Sequence, residues 1–478
     1  MKRNTILKAL AVTIVTASAV QLQAQGIYIK KKSGETDIYP ARVLDKVTPV
    51  KTTTTTESTG GEVKKGVVTT LRYEQLPDMK TARISHQIFP SGDGFVVVGG
   101  HTKNFQLTKT AEIYQNGSWK DISIANNHDG AFSVQLPDGR FMVGGGFSSS
   151  WGVGQSTGTD IYDPKTQTFS QGPQLTSARS QSKAINADGT VYVSGNWYVS
   201  DMTMDLFNGS SFKAVGEMDG HTNPYMMTDN NGYIYVFSTM DTMGNTAGFY
   251  TFDDGTEMLL ADRYQTTTGE TDYYILPFTP ESMPVALPDD ARPEDYHIVH
   301  GGKNYYMVLT KTNDGYQLLM VNIDETEFAY RFLAFDTFEI PTKDVDGNAI
   351  TWRGGVKVNS AREELYIIGA SGSSNKQTLH IISFSYQTMG WTMASAKGFK
   401  HNMLSASWTL LADGRLACTG GGINNNFDAQ NSAYVFTLPT AGTAGPTETD
   451  VWGVDVHMKD GSTKYYSEKD VESITSYE

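Results

Sequence analysis

Cysteine is nearly missing from this chain of 478 residues: Cys418 is the only one. A single thiol excludes an internal disulfide and any zinc site built from cysteines. Charge is also scarce, at 19% of residues, and it leans acidic, with a net charge of −14. That balance argues against nucleic acid or an acidic membrane surface as a general partner. Long apolar runs are lacking beyond the first two dozen residues, so no transmembrane segment is expected after them. Cys418 falls in the apolar stretch Leu416-Ala417-Cys418-Thr419 and is expected to be a buried structural thiol rather than a reactive one.

The one apolar run stands at the start. Lys2 and Arg3 precede Ala9 to Val20, which is too short to cross a bilayer, and the small Ala24 suits a cleavage site. Residues 1–24 therefore read as a cleaved signal peptide, leaving Gln25 first in the mature chain. No cysteine follows the apolar core, so no lipid anchor is expected, and the protein is expected to be secreted or periplasmic.

Glycine, by contrast, is abundant at 47 residues, and much of it recurs in one pattern. Leu136-Pro137-Asp138-Gly139-Arg140-Phe141-Met142-Val143-Gly144-Gly145-Gly146 reads as a turn, a short apolar strand and a glycine run. Related stretches begin at Gly92, Ala187, Asn230, Glu363 and Ala412, most of them about 45 to 50 residues apart, the spacing of propeller blades. Downstream of most comes an aromatic third strand, a turn and an aromatic-led fourth strand: Ile113-Tyr114 before Trp119, Ile161-Tyr162 before Phe169, Leu206-Phe207 before Phe212, and Phe384-Ser385-Tyr386 before Trp391. Four strands per unit, repeated about a common axis, bury the faces that one sheet would leave open. The repeat body spans residues 66–439, about 53 residues for each of seven units. The fifth unit, about 270–340, lacks the double glycine and carries an insertion. The seventh lacks a fourth strand after Phe436, and Val67 to Gln75 is expected to supply it, closing a ring with no exposed edge.

Two small units flank the body. Residues 25–50 and 453–478 align without a gap, Gly26 with Gly453, Gly34 with Gly461, Tyr39 with Tyr466 and Thr48 with Thr475. Each reads as a hairpin followed by a Val/Ile-Thr strand, too small to fold alone, so the copies are expected to pack on each other or on the body. The stretches 51–65, rich in Thr and Gly, and 440–452 read as linkers.

The double glycine after strand two, the Tyr of strand three and the Trp opening strand four resemble the kelch-repeat family. The resemblance implies an all-β, seven-bladed kelch-like β-propeller, with short β units at both termini. Within that family, galactose oxidases bind copper through Tyr and His and carry a Tyr–Cys crosslink. The lone Cys418 in strand two and the absence of a His pair at metal spacing speak against that chemistry here. Sialic-acid mutarotases of the family need only a few polar groups at the channel mouth.

One regularity goes beyond the family motif. Counting back ten to thirteen residues from the end of each hairpin turn reaches Arg83, His128, Arg179, His221, Arg292, Arg353 and His401, one per unit. In a propeller this places four Arg and three His at the mouth of the central channel. Crowded like charges need anions, supplied either by Asp129, Asp219, Glu294 and Asp295 or by a ligand. Trp151, Trp197, Tyr198, Trp352 and Trp408 are candidates for stacking on sugar rings, or for packing between blades. Asp344-Val345-Asp346-Gly347-Asn348 resembles a calcium loop but lacks its closing Glu, and such clusters are commonest in plain turns. No metal or cofactor is expected. The expected function is recognition of a glycan, including an anionic one, or of a protein at the loop face, by a monomer. The competing reading is a mutarotase, isomerase or lyase acting on an acidic sugar at the channel mouth.

Overall fold

The computed structural model describes residues 26–56, 67–197, 203–239, 248–276, 278–288, 292, 297–322, 334–423, 428–441, 447–467 and 471–477. The expected signal peptide lies outside them. Among the described residues the chain is all-β, with antiparallel pairing nearly throughout and no α-helix. It divides into two compact units, residues 1–64 with 444–478, and residues 65–443.

In the smaller unit the two sequence copies interlock. Strands Gly26–Lys31 and Thr36–Pro40 form a hairpin, and its third strand is Val471–Tyr477, from the other copy. Reciprocally, the hairpin of Thr447–Met458 and Thr463–Ser467 receives Leu44–Thr56. Ile29 pairs with Ile474 and Val47 with Val456, so equivalent positions meet equivalent positions. Neither copy buries enough by itself, and exchanging the third strand lets Ile27, Ile29, Val47 and Val456 form one core. Equivalent tyrosines meet as well: the hydroxyls of Tyr39 and Tyr466 lie 2.5 Å apart. Lys464 Nζ lies 2.7 Å from Asp37, to which the Tyr466 hydroxyl also donates. Those donors hold the Asp37 carboxyl at a pKa of about 2.

Part of each expected linker is strand. Thr52–Thr56 pairs with Thr447–Val451 in continuous register, because β-branched threonines favour extended backbone and the partner is already aligned.

The larger unit contains seven sheets among the described residues. The first three have four antiparallel strands each. They are Gln87–Ser91, Gly94–Val98, Ala111–Gln115 and Ser118–Ile122; then Phe132–Gln135, Phe141–Gly144, Thr159–Asp163 and Thr168–Gln171; then Lys183–Ala187, Thr190–Ser194, Met204–Phe207 and Phe212–Val215. The fourth is built on Tyr225–Thr228, Tyr233–Phe237 and Glu257–Gln265. The fifth is built on Ser282–Ala286, Lys303–Thr312, Gly315–Asn322 and Ala334–Ile340; the fourth gains Phe249–Thr251 and Thr271–Ile275, and the fifth gains Ile298–His300. The sixth comprises Ile350–Asn359, Glu364–Ser373, Lys376–Ser385 and Trp391–Phe399, and the seventh Ser407–Leu410, Leu416–Thr419 and Ala433–Thr437.

The stretch from Val67 to Gln75 serves two sheets rather than one. Arg72–Gln75 pairs with Ala433–Thr437 and completes the seventh sheet, while Val67–Thr70 joins the sixth in parallel beside Trp391–Phe399. The break falls at Leu71, which is buried among residues of both sheets.

Strand alternation explains the packing. Val96 and Val98 cluster with Phe141 and Val143 of the second sheet, whereas Phe95 and Val97 cluster with Ala417 and Val435 of the seventh. Further clusters join the second sheet to the third, the third through the fourth to the fifth, the fifth to the sixth and the sixth to the seventh. Each sheet is thus buried on both faces by its neighbours.

Ile29→Ala is expected to destabilise the smaller unit by about 2–5 kcal/mol. Because the copies exchange strands, amide exchange should accelerate in both hairpins, including Thr463–Ser467. Loss of protection confined to the first hairpin would contradict the interlock.

Candidate functional site

Four of the turns into strand two close on a left-handed glycine: Gly139, Gly189, Gly232 and Gly414 have φ between 77 and 85°. The double glycines do different work. The second residue of the pair donates its N–H to the next sheet: Gly100 to the His128 carbonyl at 2.8 Å, Gly146 to Arg179 at 2.7 Å and Asn196 to His221 at 2.8 Å. Gly421 does the same to Arg83 at 2.9 Å, joining the seventh sheet to the first. The first glycine lies under the same carbonyl. A Cβ at Gly99 would stand 2.2 Å from the His128 oxygen, and one at Gly420 2.4 Å from that of Arg83.

The side chains of these Arg and His residues turn into their own sheets. Arg83 meets Glu112 at 2.9 Å, His128 meets Asp160 at 2.9 Å, Arg179 meets Asp205 at 2.7 Å and His221 meets Asp262 at 2.7 Å. Three of them also reach the carbonyl of their own sheet's first glycine: Arg83 to Gly99, His128 to Gly145 and Arg179 to Gly195. Each carboxylate, on strand three, further accepts backbone N–H groups from the loop ahead of strand one. Lys80 and Thr81 bond to Glu112, Ala125 and Asn126 to Asp160, Thr176 to Asp205 and Asp219 to Asp262. Burial opposes the charge on Asp160, yet His128 and the backbone donors outweigh it and lower its pKa below the ordinary value.

These acids are not the counter-ions expected from the sequence. Asp129 bonds instead to His101 at 2.7 Å, Asp219 accepts from the Tyr273 hydroxyl, and Glu294 and Asp295 lie outside the described residues. The partners carry a signal of their own, an acid two residues before the strand-three aromatic: Glu112/Tyr114, Asp160/Tyr162, Asp205/Phe207 and Asp262/Tyr264.

The remaining three candidates have other surroundings. His401 packs parallel to Tyr434, which occupies the acid's position opposite Cys418. Burial lowers the His401 pKa to about 4. Arg353 is exposed within strand Ile350–Asn359, and Arg292 is half-buried. Four of the seven therefore share one environment.

Two residues beyond each paired Arg or His the backbone turns left-handed, at Ser85, Gly130, Gln181 and Asn223. Gly130 N–H donates to the Ser85 carbonyl and Gln181 N–H to that of Gly130, linking three neighbouring loops. The loops from strand two to strand three adjoin them and carry aromatics. His101 stacks on Phe105 with ring centres 4.4 Å apart, Phe105 meets Trp151 at 5.8 Å, and Phe147 meets Trp197 at 6.0 Å. Trp151 is 59% exposed and Trp197 37%. Trp151 and Phe105 have φ of 69 and 52°, costly for bulky side chains. Trp352 and Trp408 are buried, their indole N–H groups bonded to the carbonyls of Pro341 and Met403. Tyr198 lies outside the described residues.

Other chemistry is structurally committed. The Asp344 carboxylate accepts the N–H groups of Asp346 and Asn348, the Asn348 amide and the Ser371 hydroxyl, so its oxygens close the turn itself. Ser371 gives its proton to Asp344, so His380 Nε2, 2.8 Å away, donates to Ser371 and does not act as its base. Cys418 is fully buried, and burial pushes its thiol well above the usual pKa. Among the described residues no cluster of three or more His, Cys, Asp or Glu side chains is disposed to hold a metal. No family model matches the chain, and no curated protein matches it either.

Asp205→Ala, which leaves Arg179 buried and unpaired, is expected to cost about 3–5 kcal/mol in urea unfolding. Asp160, with its lowered pKa, contributes stability above pH about 4 that is lost as the pH falls further. Asp160→Asn should therefore flatten that part of the acid-unfolding curve, and an unchanged curve would contradict the pairing.

Proposed function

We propose that the larger unit is a seven-bladed β-propeller of the kelch type and that it binds glycans on the face formed by its strand-two-to-three loops. Burial of each sheet between two neighbours supports the propeller, as does the recurrence between the seventh and first sheets of the hydrogen bond used between the first and second. An apparent signal peptide supports a role outside the cytoplasm.

The carrying observation is the pair of exposed tryptophans. Trp151 and Trp197 stand on loops of adjacent sheets, each against another aromatic ring, with Trp151 in a backbone conformation that costs about 1–3 kcal/mol. Folding alone gains little from holding an indole out in water, whereas a sugar ring presents C–H groups to its face and hydroxyls to the surrounding polar side chains. The paired Arg and His residues serve the scaffold in this reading.

On a glycan array the wild-type chain is expected to retain a defined set of sugars. Trp151→Ala and Trp197→Ala should each lose them by about tenfold or more while keeping the wild-type melting temperature. Undiminished retention by both variants would refute the loop-face site.

A further inference from the structure

Resting on the glycan reading above, we infer that the ligand is an uncharged oligosaccharide rather than an acidic sugar. Four of the seven cations that could recognise a carboxylate or sulfate are already engaged. Arg83 and Arg179 are fully buried on Glu112 and Asp205, and turning either toward a ligand would strand a buried carboxylate without its partner. His128 and His221 are held in the same way by Asp160 and Asp262.

What the loops present instead is neutral. The stretch from Phe147 to Gly158, which carries Trp151, contains no ionisable side chain, only serine, threonine, glutamine, glycine, valine and aromatics. The left-handed positions at the neighbouring loops are Ser85, Gly130, Gln181 and Asn223, again hydroxyl, amide or backbone. Lys103 and Lys109 are exposed in the adjacent loop, but two lysines are little to hold a polyanion against a protein of net charge −14.

The loop that carries Trp151 is also fixed in place. The Asn196 side-chain amide donates to Gln155 Oε1 at 3.1 Å and to the Ala178 carbonyl at 3.1 Å, and its oxygen accepts the Ser180 N–H at 3.3 Å. This ties the Trp151 loop to the third sheet, next to Trp197, so the two stacking surfaces are held in place by the buried Asn196 amide, and the loop's exposed polar groups are neutral. Two indoles from neighbouring loops suit a chain of several sugar rings better than one ring. Amide and hydroxyl groups, which both donate and accept, match sugar hydroxyls without needing charge.

The test is calorimetric titration of the full chain with neutral hexasaccharides (cello-, malto-, manno- and xylo-oligosaccharides) and with two acidic ones, hexagalacturonate and a heparin-derived hexasaccharide. Each is run at about 20 and about 500 mM salt. At least one neutral sugar should bind, with affinity changing less than about twofold between the two salts and falling about tenfold or more in Trp197→Ala. Binding confined to the acidic sugars and weakening with salt would overturn the neutral ligand while leaving the glycan reading intact. Absence of binding to every sugar would overturn both.

Discussion

The larger unit depends on one short hydrogen bond, from the N–H that follows the first glycine of each pair to the carbonyl of the Arg or His in the next sheet. It occurs at Gly100, Gly146, Asn196 and Gly421. A side chain at Gly99, Gly145 or Gly420 would strike that carbonyl and one at Gly195 would strike Pro224, and all four have φ between 62 and 86°, so contact with the neighbour and the left-handed backbone both require glycine. The same Arg or His then anchors its own sheet through a strand-three carboxylate, which in turn holds the loop leading in. In four of the seven sheets one residue therefore joins strand one, strand three, the loop between sheets and the preceding sheet. Buried pairs of this kind add little net energy compared with apolar packing, but they admit few alternative arrangements. That restriction suits a repeat in which many similar strands offer many wrong partners.

The smaller unit follows a different economy. Two copies of a fragment too small to fold become one core by exchanging third strands, with Tyr39 meeting Tyr466 where equivalent positions come together. The long ladder between Leu44–Thr56 and Thr447–Met458 brings together chain segments that flank the whole repeat body in sequence.

Much of this was legible in the residues. The Asp-Gly turns, the alternating strands and the recurrence of the glycine pairs pointed to repeated β-sheets, and the alignment of the terminal copies marked a matched pair. The regular Arg or His was visible too, but not its role, because its acid lies on strand three, far along the chain, with no local trace beyond the acid-x-aromatic spacing. The count also lost its meaning where strands lengthen: with ten residues in Ile350–Asn359, Arg353 falls inside the strand rather than ahead of it. Nothing in sequence separated the exposed Trp151 and Trp197 from the buried Trp352 and Trp408, since all four stand near glycines or loops. Burial was decided by which neighbouring sheet lay opposite. The threonine stretches read as linkers because Thr and Gly together suggest flexibility; with a matching strand alongside, β-branched side chains make ladder instead.

The central claim is that the seventh sheet is held to the first by the bond that holds the first to the second. Residue-resolved amide exchange of Gly421, compared with Gly100 and Gly146, measures this directly. Protection of Gly421 comparable to that of the other two is the expected result. Exchange of Gly421 at the rate of an unstructured peptide, with Gly100 and Gly146 still protected, would contradict the account.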